Sequence, residues 1–503
     1  MIKSLVLFIL IGLSTGNFFG QNFNRPVPHG VFPYEYVQND PQIDFHLSVN
    51  FFHRAQQVGA YDYHRGVIFD PQGYIAWYQT ETPANAVANN CLYYDESNGV
   101  FLQNIMYSGQ NMHFVKLDTL LQITDTVTAM NGMNPDSHEN ELTSTGNQFI
   151  ITQVDSVFDL SGYIFDGNVG VPNTNVICNG IQGFDNNGSL IFNWNSCDYV
   201  HPSEAYGFNY NVNNFDYFHM NAVEIDDDGN ILCSGRHINT IVKIDRATGQ
   251  VLWRLGGINS DFTFVNDIGF SGQHDIRSYG NSTYSLFDNG NLSMPKKSRG
   301  LTYQLDTANW TATLTEAFDP TPSIYGRAMG SHRKIDNYGV VSYGNIYRPE
   351  PSVVVYDNNL DFAAEYYFTD SVQTYRTMPF HLDFSLPRPD IYCFDSLGQT
   401  YIKAENTYGS YEWSTGETSQ AIIPTLGETY QVYIPYGIGR LGSIPFTYDG
   451  DCYLEITEPI AEQTTVVKTV DLLGREVLSK KVGNLYIDQL LNGKTRLYYF
   501  TGN

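Results

Sequence analysis

Residues 219–255 read HMNAVEIDDDGNILCSGRHINTIVKIDRATGQVLWRL. A histidine opens a β-rich run that turns at Gly229-Asn230. A hairpin follows over residues 241–255: an apolar run ending at Asp245, a short polar turn, and a second apolar run. Val, Ile and Trp fit pleated surfaces while Asp, Gly and Asn fit turns, so the stretch predicts four short strands in succession. The hairpin recurs at 301–314 (LTYQLDTANWTATL) and 353–368 (VVVYDNNLDFAAEYYF), with a fainter copy at 114–124 (FVKLDTLLQIT). The histidine-led segment recurs as well: His138 leads to Gly146-Asn147, His274 to Gly280-Asn281 and His332 to Gly339. The four histidines are 81, 55 and 58 residues apart. Such units predict a β-propeller over residues 30–386, of six blades when faint copies at 67–78 and 101–117 are counted. The first strand of each propeller blade lines the central channel, so polar residues opening these strands are expected to converge at one mouth.

Composition agrees with an all-β chain. Aromatic residues make up 15% of the 503 and charged residues only 16%, with 44 Gly and 21 Pro. The 27 Lys+Arg against 53 Asp+Glu give a net charge of −26, which excludes a protein that lives on nucleic-acid phosphates. Several chemistries lack their motifs. A calcium loop beginning at Asp226 would put Ile231 where glycine is required and His237 where glutamate is required. His138-Glu139-Asn140-Glu141 is not a zinc-peptidase helix, and neither G-x-S-x-G nor a P-loop occurs. No metal or other cofactor is expected.

The ordered string His219-Met220-Asn221, Ser234-Gly235-Arg236, Trp253-Arg254-Leu255-Gly256-Gly257, Gln273-His274-Asp275 and Ser285-Leu286-Phe287-Asp288-Asn289-Gly290 resembles the core of the arylsulfotransferase family. The resemblance is good over 140–380 and weak in the first blades. It implies a six-bladed propeller that moves a sulfuryl group from a phenolic sulfate ester to another phenol, without a nucleotide sulfate donor. It also implies that His274 is the sulfated nucleophile, with His219, Asn221, Arg236 and, on a looser match, His138 around it. It gives His332 no role. The chemistry suits these residue types. Neutral imidazole is a capable nucleophile near pH 7, and an N-sulfohistidine splits one hard displacement into two easier ones. Arginine and imidazole donors suit the anionic sulfuryl oxygens. The alternative from another class is a non-catalytic secreted propeller used for binding or surface display, since fold alone decides no function.

The flanks give the expected address. Met1-Ile2-Lys3 and the apolar run 5–13 predict a signal peptide over residues 1–20, too short to cross a bilayer, and no later run predicts a transmembrane span. Cys178 with Cys197 could staple a hairpin, and Cys393 with Cys452 could bracket a small domain, although connectivity cannot be read from sequence. Beyond the boundary Pro387-Arg388-Pro389, residues 388–455 resemble an immunoglobulin-like β-sandwich module. Residues 459–503, with the turns DLLGREV and LNGK, resemble the C-terminal sorting domain of the type IX secretion system of Bacteroidetes. The implied partner is that machinery, and the implied location is outside the cell or on its outer surface.

Overall fold

The structure is a computed structural model. It describes residues 25–28, 31–53, 66–80, 86–107, 112–206, 210–346, 349–369, 372–450 and 452, and near the C-terminus 466–471, 475–477, 481, 484–490 and 495–500. The expected signal peptide lies outside these residues. The fold is all-β. Its only described helices are the two short 3-10 turns Ser196–Asp198 and Pro202–Glu204, and no described helix is long and apolar enough to cross a membrane.

The deciding stretch forms a four-stranded antiparallel meander: Met220–Ile225, Ile231–Gly235, Thr240–Ile244 and Val251–Gly256. Its turns are set locally. The Asp226 carbonyl accepts from Gly229 N–H at 2.8 Å with Gly229 at φ +78°, and Asp245 and Gly249 repeat the device at 2.8 Å and φ +74°. Both faces of the meander are buried, which is why its strands read as nearly unbroken apolar runs. Val223, Cys233 and Val242 point to one side, against Phe149, Ile151 and Ile181. Ala222, Leu232 and Ile241 point to the other, against Ile276, Leu286 and Tyr303. Truncating a buried leucine such as Leu232 to alanine costs about 2–5 kcal/mol in such a setting.

Five other sheets contain the same four-stranded antiparallel unit among the described residues. We number the inner strand of each unit along the chain: β1 Ala86–Asp95, β2 Asn134–Leu142, β3 Met220–Ile225, β4 His274–Ser278, β5 Ser331–Ile335 and β6 Val372–Phe380. Each inner strand touches the next, and β6 touches β1, so the six form a closed ring. Strands from the N-terminal side interlock with those at the end of the ring to complete it. β6 pairs antiparallel with His46–His53, and Phe362–Phe368 pairs with Tyr34–Gln38 from the N-terminal side.

The segment after Pro389 is joined to this ring by backbone hydrogen bonds. Val432–Tyr436 and Gly439–Gly442 form a hairpin that continues the sheet of Ile75–Gln79, with Leu441 opposite Trp77. Trp77 is fully buried there and donates from Nε1 to the Tyr436 carbonyl at 3.0 Å. Cys178 is bonded to Cys197, and Cys393 to Cys452. The last described strands, Val466–Asp471, Asn484–Leu490 and Thr495–Phe500, make a separate three-stranded antiparallel sheet.

Candidate active site

One mouth of the ring holds a cavity of about 800 Å3. His138 from β2, His219 immediately before β3, Arg236 just after Ile231–Gly235, and His274 as the first residue of β4 all line it. Three of the four repeat-position histidines therefore converge as the spacing implied. His332 does not join them. It is the second residue of β5, fully buried between sheets with its ring 5.1 Å from that of Phe318, and its Nδ1 donates to the Leu301 carbonyl at 3.3 Å. Asn221 also does not line the cavity. It lies beneath it, fully buried, donating at 2.7 Å to the carbonyl of Gln273, the residue before His274.

The ring nitrogens have assigned partners. Asp136 accepts from His138 Nδ1, and Asp216 accepts from His219 Nδ1. The rings of His138 and His219 lie 5.1 Å apart edge to face, and His237 stacks on His219 at 4.5 Å. Burial alone would lower the pKa of His138, but the Asp136 carboxylate outweighs it and the pKa is raised. Burial would raise Asp216, yet the bond from His219 and the imidazoles around it hold it at about 2. His237 is pushed down to about 3, first by burial and then by His219. It is thus a neutral ring whose Nδ1 donates to the Asp216 carbonyl and whose Nε2 accepts from Arg236 Nη1 at 2.8 Å.

His274 is 2% exposed. Burial, then the charge of Arg236, holds its pKa well below the usual imidazole value, so it is neutral at pH 7. Its Nε2 accepts from the Met329 N–H at 3.2 Å. Arg236 is 8% exposed and has no ion-pairing carboxylate among the described residues. Its Nη2 donates to the Arg327 carbonyl at 3.1 Å, its Nε has no partner, and Arg327 itself lines the cavity. Burial and Arg327 lower the pKa of Arg236, with Asp216 acting in the opposite sense but making no ion pair with it. Three residues around the site, His219 (φ +51°), Asp275 (φ +58°) and Met329 (φ +62°), take left-handed backbone that costs non-glycine residues energy and gathers at functional sites. Asp216, His219 and His237 offer three ligand atoms within 4.8 Å of one another, but the guanidinium on His237 makes the pocket a seat for an anion rather than a cation.

Sequence reading missed Asp136, Asp216, His237, Arg327, Met329 and the cavity-lining Tyr206, Tyr325 and Tyr375. His237 was visible as the neighbour of Arg236. The two aspartates lie two and three residues before His138 and His219, a pairing the repeat did not draw attention to. The tyrosines carried no signal in a chain with 37 of them.

The fold bears a distant likeness to several solved structures. A protein of unknown function from Bacteroides caccae is 10% identical, with 67% of this chain and 99% of that one covered, at TM-score 0.39. TolB from Acinetobacter baumannii is 8% identical, with 67% and 66% covered, at TM-score 0.37. A virginiamycin B lyase from Staphylococcus aureus is 11% identical, with 75% and 97% covered, at TM-score 0.33. No curated protein matches the sequence. The family model described as arylsulfotransferase (ASST) matches residues 90–367.

Proposed function

As the chain belongs to the arylsulfotransferase family, we propose that it moves a sulfuryl group from an aryl sulfate to a second phenol through a sulfated His274, with no nucleotide sulfate donor. The observation that carries this reading is the pair His274 and Arg236: a buried neutral imidazole beside a buried guanidinium that lacks a carboxylate. Arg236 and Arg327 hold the sulfuryl oxygens. His274 Nε2 gives up the hydrogen bond it accepts from the Met329 N–H and attacks sulfur as the S–O(aryl) bond breaks, and the electron pair leaves with the phenolate oxygen. His138, whose pKa Asp136 raises, gives that oxygen its proton, and His219 backed by Asp216 flanks the same transfer. An incoming phenol reverses the steps. Its proton returns to His138 as its oxygen bonds to sulfur and the N–S bond opens. Asn221 acts from below, holding the backbone at Gln273 from which His274 projects. The cavity's tyrosines give aromatic rings a wall.

We also read the closed ring of six four-stranded units as a six-bladed propeller, supported by the pairing of its last inner strand with His46–His53. The remaining proposals are an immunoglobulin-like module at 388–455 and export by way of residues 1–20 and 459–503. Their support is sequence resemblance. Deleting residues 464–503 then leaves the enzyme active but retained in the periplasm, whereas normal levels outside the cell contradict the sorting role.

Release of nitrophenol from 4-nitrophenyl sulfate tests the activity. The expected result is turnover that depends on added phenol, with parallel double-reciprocal lines when donor and acceptor are varied. Intersecting lines would mean direct transfer between two bound phenols. No turnover across a panel of aryl sulfates would leave the ring as a binding module.

A further inference from the structure

Asn289 follows the strand Thr283–Asp288 and lies behind His274, fully buried. Its Nδ2 donates to two carbonyls, Gly326 at 2.7 Å and Met329 at 3.0 Å. Both amide protons are thereby used, which fixes the orientation of the side chain and leaves Oδ1 facing His274 Nδ1 at 2.6 Å. The Gly272 carbonyl is a second acceptor on Nδ1 at 3.1 Å. Two acceptors on one ring nitrogen require a proton there. On the other side of the ring, Nε2 faces the Met329 N–H and must present its lone pair. One residue, Met329, thus holds both partners, its N–H on the imidazole and its C=O on the amide that orients it.

We propose that Asn289 is a positioning residue that locks His274 in the Nδ1–H tautomer, so that Nε2 alone takes the sulfuryl group. The proposal rests on His274 being the nucleophile. When Nε2 releases the Met329 N–H and bonds to sulfur, and the S–O(aryl) pair departs, the Nδ1 proton stays and the ring becomes an imidazolium. Asn289 Oδ1 then faces a cationic ring and stabilises it through its dipole. When the acceptor oxygen takes the sulfur, the N–S pair returns to Nε2 and the ring is neutral again. An amide suits this cycle better than a carboxylate, which would favour the imidazolium in the resting enzyme and put a proton on Nε2. The groups facing His274 agree with that choice. Arg236, His219 and Arg376 all act against a positive charge on the ring, and Arg327 stands across the cavity. The adjacent acids are engaged elsewhere, Asp275 by Arg277 and Arg333, and Asp288 by Arg299.

The test uses the full chain and 4-nitrophenyl sulfate without acceptor, following adduct formation in a single turnover against pH. Asn289→Asp is expected to move the acid limb upward by at least about one pH unit, because a carboxylate on Nδ1 raises the pKa of His274. Asn289→Leu is expected to slow adduct formation about 10²-fold or more by releasing the tautomer. In the wild-type protein, the 15N shifts of His274 are expected to show the proton on Nδ1, a measurement that stands even where a variant fails to fold. A proton on Nε2, or two folded variants with wild-type rate and wild-type acid limb, would overturn the role of Asn289 alone. A wild-type enzyme that forms no adduct on His274 would instead remove the nucleophile, and the positioning role with it.

Discussion

Two sets of buried arginines occupy the ring, and they are treated in opposite ways. Arg376 on β6 and Arg277 on β4 lie on the axis among carboxylates. Arg376 meets Glu139 at 2.8 Å and Asp275 at 3.7 Å, while Arg277 meets Glu139 at 2.6 Å, Asp275 at 2.7 Å and Glu224 at 2.9 Å. Their partners come from different inner strands, so this network ties the ring together through its centre. Arg236, at the mouth, is buried only slightly less than Arg277 but is held only by a neutral histidine and a carbonyl. A buried guanidinium without an anion is costly. The network spends its charge on structure, whereas the mouth leaves one positive charge open for a ligand. That difference separates scaffold from site more sharply than exposure does.

The strongest way to break the comparison is to exchange the expected consequences. Arg376→Met leaves Glu139 to Arg277 alone and takes one cation from Asp275, and is expected to destabilise the fold by about 3–5 kcal/mol, read as a fall in the denaturant midpoint. A stability close to wild type would mean that the axis network holds nothing together. Arg236→Lys keeps one charge but loses the planar fork. It is expected to cost roughly 10²–10³ in kcat with the denaturant midpoint unchanged, and normal turnover would take Arg236 out of the site.

A milder test asks whether the open charge binds an anion at all. Inorganic sulfate at 100 times its Kd is expected to stabilise the wild-type protein by about 2.7 kcal/mol and to leave Arg236→Met unaffected. Equal stabilisation of both would place sulfate elsewhere. The smallest effect concerns His332, the histidine the ring excludes. His332→Leu is expected to keep turnover within about twofold of wild type, since the side chain touches no cavity. Burial lowers its pKa to about 4. Between roughly pH 6.5 and that value the unfolded chain takes up a proton that the folded one refuses, so stability falls as the pH falls. His332→Leu is therefore expected to make the acid loss of stability shallower across that window. An unchanged slope would show that His332 is not the buried neutral ring described.

The hairpins of this fold were legible because their signals are local: apolar runs broken by Asp, Gly and Asn at fixed intervals, all found as strands and turns at 240–256, 299–318 and 353–368. His138, His219 and His274 were legible because repetition brings equivalent positions to one mouth, whereas Arg236 was placed there by the family resemblance alone. His332 shows where that argument ends. It stands second in its strand and packs against Phe318 between sheets, where His274, first in its strand, lines the cavity. Asn221 was expected at the reacting group for its chemistry, yet its strand position turns it beneath the cavity floor. The attachment of the hairpin at 432–442 to the sheet of Ile75–Gln79 had no sequence signal, because pairing across some 360 residues leaves no local trace. The two histidine-backing aspartates were equally silent, since each is one acid among 53 Asp and Glu.

In the reaction proposed above, the open charge of Arg236 and the neutral ring of His274 together form the sulfuryl-transfer site. Intact-protein mass spectrometry after exposure to 4-nitrophenyl sulfate without acceptor, followed by peptide mapping, tests it most directly. The account predicts a gain of about 80 Da on His274 that disappears when phenol is added and is absent in His274→Asn. A turning-over enzyme with no adduct, or with the adduct on His138 or His219, would contradict it.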